Sequence, residues 1–149
     1  MATEKQKLGD WGEKLVATTC SCPKCKRPKS TRLLPPNFRC ADLICDFCGY
    51  LAQVKTSKVK DTNALPNTIL GAAWGPQKER MDAGIYFPLY VVLVTADYKD
   101  SSVFFLPADL QTSDMFIPRK PLSASAKRAG WQGYLINCAE IRDRFVRLT

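Results

Sequence analysis

Histidine is absent from the 149 residues of this chain. That excludes Ser/His/Asp and Cys/His catalysis and any histidine metal ligand. A hydrolase made from this sequence must give a metal ion or a lysine the work that a histidine often does. Long apolar runs are also missing. No stretch approaches the roughly 20 residues that a membrane-spanning helix needs. The segment MATEKQKLGD is polar and lacks the features of a signal peptide. The expected location is the cytoplasm, with no membrane partner. There is no internal repeat and no low-complexity segment.

Acidic residues are few. Lys and Arg total 22 against 14 Asp and Glu, a formal net charge of +8 with a pI near 9.2. The cations cluster at 24–32, 55–60, 119–128 and 142–147. A basic surface of this kind favours a polyanion, most simply nucleic acid. It equally fits a merely solvated surface, so charge alone does not choose. Hydrophobic residues make up 46%, enough for one globular domain with a real core.

Seven cysteines in a chain expected in the cytoplasm point to metal in place of disulfides. Cys22-Pro-Lys-Cys25 and Cys45-Asp-Phe-Cys48 are two CxxC knuckles with 19 residues between them. This spacing is that of a structural four-cysteine zinc site, in which thiolates converge on a tetrahedral ion. Buried free cysteines would require two chance CxxC pairs. The zinc is expected to staple the basic loop at 24–32 onto a hairpin. Four thiolates and one Zn²⁺ change the charge from +8 to about +6. Cys20, Cys40 and Cys138 are left over.

That hairpin, FRCADLICDFCGYLAQVKTSK (38–58), carries a second kind of chemistry. Asp42 precedes the turn, and Gln53 and Lys55 follow it. Side chains alternate along a strand, so Gln53 and Lys55 share a face. An acid, an amide oxygen and a lysine on one face suit a hard cation such as Mg²⁺, with Mn²⁺ as substitute, and an activated water. Asp42 and Gln53 would hold the metal, helped by the Val54 carbonyl. Lys55 would orient or deprotonate the water, or offset transition-state charge. Taken alone, the D-x10-Q-x-K spacing is loose, and a salt bridge on a solvated sheet face is its plain reading.

Elsewhere, Thr3 to Gln6 fits a capping box. Leu8, Trp11, Leu15 and Val16 recur at helical spacing, which predicts a helix from about Glu4 to Thr19. Glu13 lies beside its apolar stripe, where a solvated charge is the plain reading. The stretch 22–36 reads as a loop. The stretch 69–74 reads as a short helical piece, and Pro76 as the start of a second helix to about Met81. YFPLYVVLVT (86–95) reads as a central strand buried on both faces. Val103–Leu106, Trp131–Asn137 and Phe145–Leu148 read as further strands, and 107–111 as one helical turn. The basic stretch 118–130 is a long loop. The expected architecture is one α/β domain over 1–149 with a mixed central sheet flanked by helices, and a zinc loop at about 20–48.

The Asp42, Gln53 and Lys55 pattern resembles the PD-(D/E)XK nuclease core, in which an Asp precedes a strand bearing (E/Q)-x-K. The segment Gly9-Asp10-Trp11-Gly12-Glu13 is similar to the G-x-x-x-E of an upstream helix there, and makes Glu13 a candidate for metal support. The closer resemblance is to the DpnI-like, Dam-replacing restriction endonucleases. It spans about Leu8 to Leu148. It includes the paired CxxC knuckles and the segment from Arg119-Lys120-Pro121-Leu122 to Arg128-Ala129-Gly130-Trp131.

The resemblance implies a metal-dependent type II endonuclease acting on double-stranded DNA, methyl-directed at GATC sites with N6-methyladenine. It matches Asp42 and Lys55 to the catalytic Asp and Lys, and Cys22, Cys25, Cys45 and Cys48 to zinc ligands. The expected DNA contacts are Lys58, Arg119, Lys120, Ser125, Lys127, Arg128 and Trp131, with Ser123 beside them; Trp131 fits a core position equally well. The expected state is a monomer, or a transient dimer on DNA.

Two departures stand out. Gln53 occupies the place of a Glu, as in the Q-x-K variant of Mrr-like nucleases. The C-terminal winged helix usual in the family is not expected in this sequence. Two other readings accompany the main one: a zinc-stapled DNA-binding module with a decayed nuclease site, and a nuclease for another DNA structure.

Overall fold

The computed structural model describes residues 3–35, 38, 41–119, 125 and 133–149, with the side chains of 72–77 outside that description. Helix α1 spans Glu4–Thr19. Its first turn is closed by a capping box. Thr3 Oγ1 accepts the N–H of Gln6 at 3.2 Å, and Gln6 Oε1 accepts the N–H of Thr3 at 2.8 Å. The helix ends where Cys20 turns extended.

The main sheet has six strands: β1 (Thr31–Leu33), β2 (Leu43–Cys45), β3 (Leu51–Lys58), β5 (Leu89–Val94), β6 (Ser101–Leu106) and β9 (Val146–Arg147), in the order β1-β2-β3-β5-β6-β9. Only β3 and β5 pair in parallel, so the sheet is mixed. A parallel pair needs a long crossover. Here it contains β4 (Thr68–Ala73) and α2 (Trp74–Asp82). β4 belongs to a second sheet of order β4-β8-β7, with β7 at Phe116–Pro118 and β8 at Gly133–Asn137.

β5 sits between two cores, which explains its uninterrupted apolar run. All six of its residues are buried. Tyr90 and Val92 pack with Val16, Leu43, Val54 and Phe105 on the α1 side. Leu89, Val91 and Leu93 pack with Ile69, Met115, Phe116 and Ile136 beneath the second sheet. Burial of each large aliphatic contributes about 1.5–3 kcal/mol. α1 lies close on β3 because Gly12 carries no side chain: an added Cβ would sit 2.9 Å from the Thr56 Cβ.

Three expectations differ from the structure. The stretch 69–74 is strand up to Ala73, because β4 pairs along β8, with Ile69 opposite Ile136. The alternation of buried Ile69 (4% exposed) and exposed Leu70 (48%) is the strand signature that so short a run conceals. The loop at 22–36 contains β1, held by pairing Thr31 with Cys45 and Leu33 with Leu43. The expectation of a sheet flanked by helices holds on the α1 face, whereas the other face is covered by the second sheet, which includes the strand at 133–137. Among the described residues no helix is long and apolar enough to cross a membrane.

Candidate functional site

Cys22, Cys25, Cys45 and Cys48 bring their Sγ atoms within 4.8 Å of one another. Cys22 to Cys48 is 3.6 Å and Cys25 to Cys45 is 3.7 Å. With Zn–S of about 2.3 Å, a tetrahedral site has S···S edges of about 3.8 Å, so the cage has the size of a zinc tetrathiolate. Each knuckle is a backbone turn. Lys26 N–H donates to Cys22 O at 2.9 Å, and Gly49 N–H to Cys45 O at 2.8 Å. Gly49 takes φ +79°, which a glycine adopts without strain.

The Ser30 hydroxyl lies 3.2 Å from Cys45 Sγ. With the Cys48 backbone N–H it holds that thiol down to about 6. Burial pushes the Cys22 thiol up to about 11, a penalty on the thiolate that a dication offsets. No spacing rule pointed to Ser30, because it meets Cys45 only through the folded hairpin.

Asp42 lies just before β2. Its backbone N–H donates to Ala52 O at 2.9 Å, although Leu43 is the residue paired with Ala52. Two successive residues thus oppose one, as in a β-bulge, which re-aims side chains. The ladder between β2 and β3 stops there. Val54 N–H goes instead to Asp42 Oδ2 at 2.8 Å. A strand residue sends its N–H and C=O the same way, so the Val54 carbonyl also faces Asp42.

Gln53 and Lys55 flank Val54. Gln53 pairs with Leu89 and Lys55 with Val91, so both lie on the sheet face opposite α1. Gln53 is buried at 8% exposure, and Lys55 is partly buried.

Glu13 projects from α1 into a cleft lined by Gly9, Asp10, Leu33, Leu34, Pro35 and Asp42. Its carboxyl is pushed up to about 7, first by burial, then by the charges of Asp42 and Asp10, with Lys55 pulling the other way. Asp42, Lys55 and Glu13 are therefore electrostatic neighbours. Negative groups crowded away from water are what a divalent cation relieves. The carboxylates of Asp10, Glu13 and Asp42, with the Val54 carbonyl facing Asp42, are oxygen donors of the kind a hard cation takes. Asp10 belongs to this cleft, and the only hint of it was its place beside Glu13 in the GDWGE motif.

The expected DNA contacts fall apart spatially. Lys58 is exposed at the far end of β3, its Nζ 5.1 Å from the Tyr98 ring centroid. By strand alternation it sits on the face opposite Lys55. Arg119 is exposed just past β7, its N–H donating to Gly133 O at 2.9 Å. The second sheet packs on the same side of the main sheet as Gln53 and Lys55. Ser125 is exposed. Lys120, Ser123, Lys127, Arg128 and Trp131 lie outside the described residues.

Fold and site together define a mixed α/β protein with a four-cysteine cage and, where β2 leaves β3, a cleft of carboxylates beside a lysine. The family model described as DpnI, Dam-replacing family, matches residues 2–146. The chain belongs to this family of restriction-type nucleases, a class that makes DNA the partner.

Proposed function

We propose that this chain is a metal-dependent endonuclease with a PD-(D/E)XK core that hydrolyses phosphodiester bonds in double-stranded DNA, directed to GATC-like sites by adenine N6-methylation. One observation carries the reading. The Asp42 carboxylate is anchored on the amide of Val54, the residue between Gln53 and Lys55, and Glu13 senses both Asp42 and Lys55.

Asp42 and Gln53 would hold Mg²⁺, with Mn²⁺ as substitute, and the Val54 carbonyl and Glu13 would complete the oxygen set. The bound cation supplies positive charge at the reacting phosphate and a lower pKa for the attacking water. Lys55 orients that water and offsets charge developing on the phosphate. The four cysteines would hold zinc in a closed, structural role. Residues 1–149 act as one nuclease unit. It contains one site, so cutting both strands takes two visits or two copies, as a monomer or a transient dimer on DNA.

The test is plasmid cleavage with Mg²⁺ or Mn²⁺ on adenine-methylated and unmethylated DNA, comparing the native chain with Lys55→Ala. The expected result is cutting of methylated plasmid by the native chain alone, with a loss on the order of 10²–10⁴-fold in the variant. Equal nicking by both proteins refutes the assignment.

Gln53, where an acid would give stronger metal binding, favours a second reading: a zinc-stapled DNA-binding module whose nuclease site has decayed. Duplex binding without cleavage in any divalent metal, with cleavage restored by Gln53→Glu, would establish it.

A further inference from the structure

We propose that the tip of the cysteine hairpin is a second DNA-contacting element, gripping the phosphodiester backbone beside the cleft; this rests on the nuclease reading above for the position of the scissile phosphate. The tip is built from Lys26, Arg27, Pro28 and Lys29 on one knuckle and Asp46 and Phe47 on the other.

Four observations carry it. Phe47 is 63% exposed, the most exposed large apolar side chain among the described residues. It is held rigidly because it lies between Cys45 and Cys48 of the cage. The Arg27 guanidinium lies over its ring, 3.8 Å from the centroid, which makes a flat, cationic, amphipathic platform. Lys24, Lys26, Arg27 and Lys29 are all exposed, and the one acid in the patch, Asp46, is ion-paired with Arg32. Four cations outweigh the roughly −2 of a zinc tetrathiolate beneath them, and the net positive charge is the complement of a phosphate backbone. Finally, Lys26 and Lys29 take φ of 64° and 54°. Glycine would be unstrained there, yet both positions carry a long cation, and strained backbone clusters at functional sites.

The geometry sets the distance from the cleft. β1 and β2 pair from Thr31–Cys45 at the tip end to Leu33–Leu43 at the cleft end. Asp42 is three strand residues from Cys45, about 10 Å. Along one DNA strand that is about three nucleotides at 3.4 Å each. A duplex laid along the hairpin spans that distance within a few base pairs. Phosphate contacts of this kind fix position and carry no sequence information.

The experiment measures binding of the full, zinc-loaded chain to a short duplex with one methylated GATC. Fluorescence anisotropy is read in Ca²⁺ over a series of KCl concentrations. The double variant Arg27→Ala/Lys29→Ala is expected to bind about tenfold more weakly, with a salt slope smaller by about 2. Arg27→Lys is expected to keep the native slope but lose affinity, because the charge stays while the planar stack is lost. Phe47→Ala is expected to weaken binding at unchanged slope and unchanged zinc content.

Native affinity and slope in the double variant, with zinc retained, overturn the proposal. So does preference of the tip for an acidic protein over duplex DNA. Tip-dependent binding by a chain that cuts no DNA would leave this proposal standing and remove the nuclease reading.

Discussion

The Asp42 carboxylate takes the backbone N–H of Val54 at 2.8 Å, a bond the neighbouring strand would otherwise accept. One side chain thus ends a sheet ladder and opens the cleft that it lines.

This double role separates two substitutions. Asp42→Asn keeps an oxygen for the Val54 amide but loses the charge that would hold a metal. It is expected to melt near the native temperature and to lose cleavage. Asp42→Ala loses both, and leaves the Val54 amide without its acceptor at a cost of about 1–3 kcal/mol. Thermal unfolding beside a cleavage assay distinguishes them. Equal destabilisation by both would remove the structural role.

Glu13 makes stability depend on pH. Its carboxyl is raised from the usual 4.5 to about 7, by burial first and then by Asp42 and Asp10, against the pull of Lys55. Between those values the folded chain keeps a proton that the unfolded chain has lost. Without divalent cations stability is therefore expected to fall as pH rises through that window. Glu13→Gln should flatten this part of the profile. Cleavage should rise over the same window in the native chain, because the ionised carboxylate is the form that supports a metal. Denaturant midpoints at a series of pH values check the first effect, and a profile as steep in Glu13→Gln as in the native chain contradicts it.

The cysteine cage should hold about one zinc per chain. Structural zinc in small domains contributes apparent binding energies of about 10–16 kcal/mol, so Cys45→Ser is expected to lose the metal and melt well below the native chain. Cleavage should fall as well, although none of the four cage cysteines lines the cleft, because Cys45 ends the strand that follows Asp42. Elemental analysis with thermal unfolding tests this. A chain without zinc and with native melting would show that the cage holds nothing.

Gly12 and Thr56 set the approach of helix to sheet. Gly12→Ala would overlap the Thr56 side chain, with an expected loss of about 1–3 kcal/mol as α1 moves off β3. Glu13 moves with the helix, so cleavage should fall in parallel. Thr56→Ala removes part of the overlap and is expected to rescue part of both losses. Additive losses in the double variant would show that the two residues do not meet.

Much was legible in the residues themselves. The capping box, the length of α1, the buried strand at 89–94 and the two cysteine knuckles all rest on local rules: hydrogen-bonding side chains at fixed offsets, apolar periodicity, and ligand spacing. The short strands were less legible. β1 and β4 have three and six residues, too few for periodicity to show, and exist because a distant strand pairs with them.

The cleft lies between these cases. Asp42, Gln53 and Lys55 can be picked out by type and order. Their relation to Glu13 and Asp10 depends on how closely a helix lies on a strand some forty residues away, which a glycine at the contact permits. Local chemistry along the chain determined which elements form and which side chains are equipped to hold a metal. Only the tertiary structure decided which of those side chains share one poorly hydrated space, because burial and Coulomb interaction depend on distances through space, not along the chain.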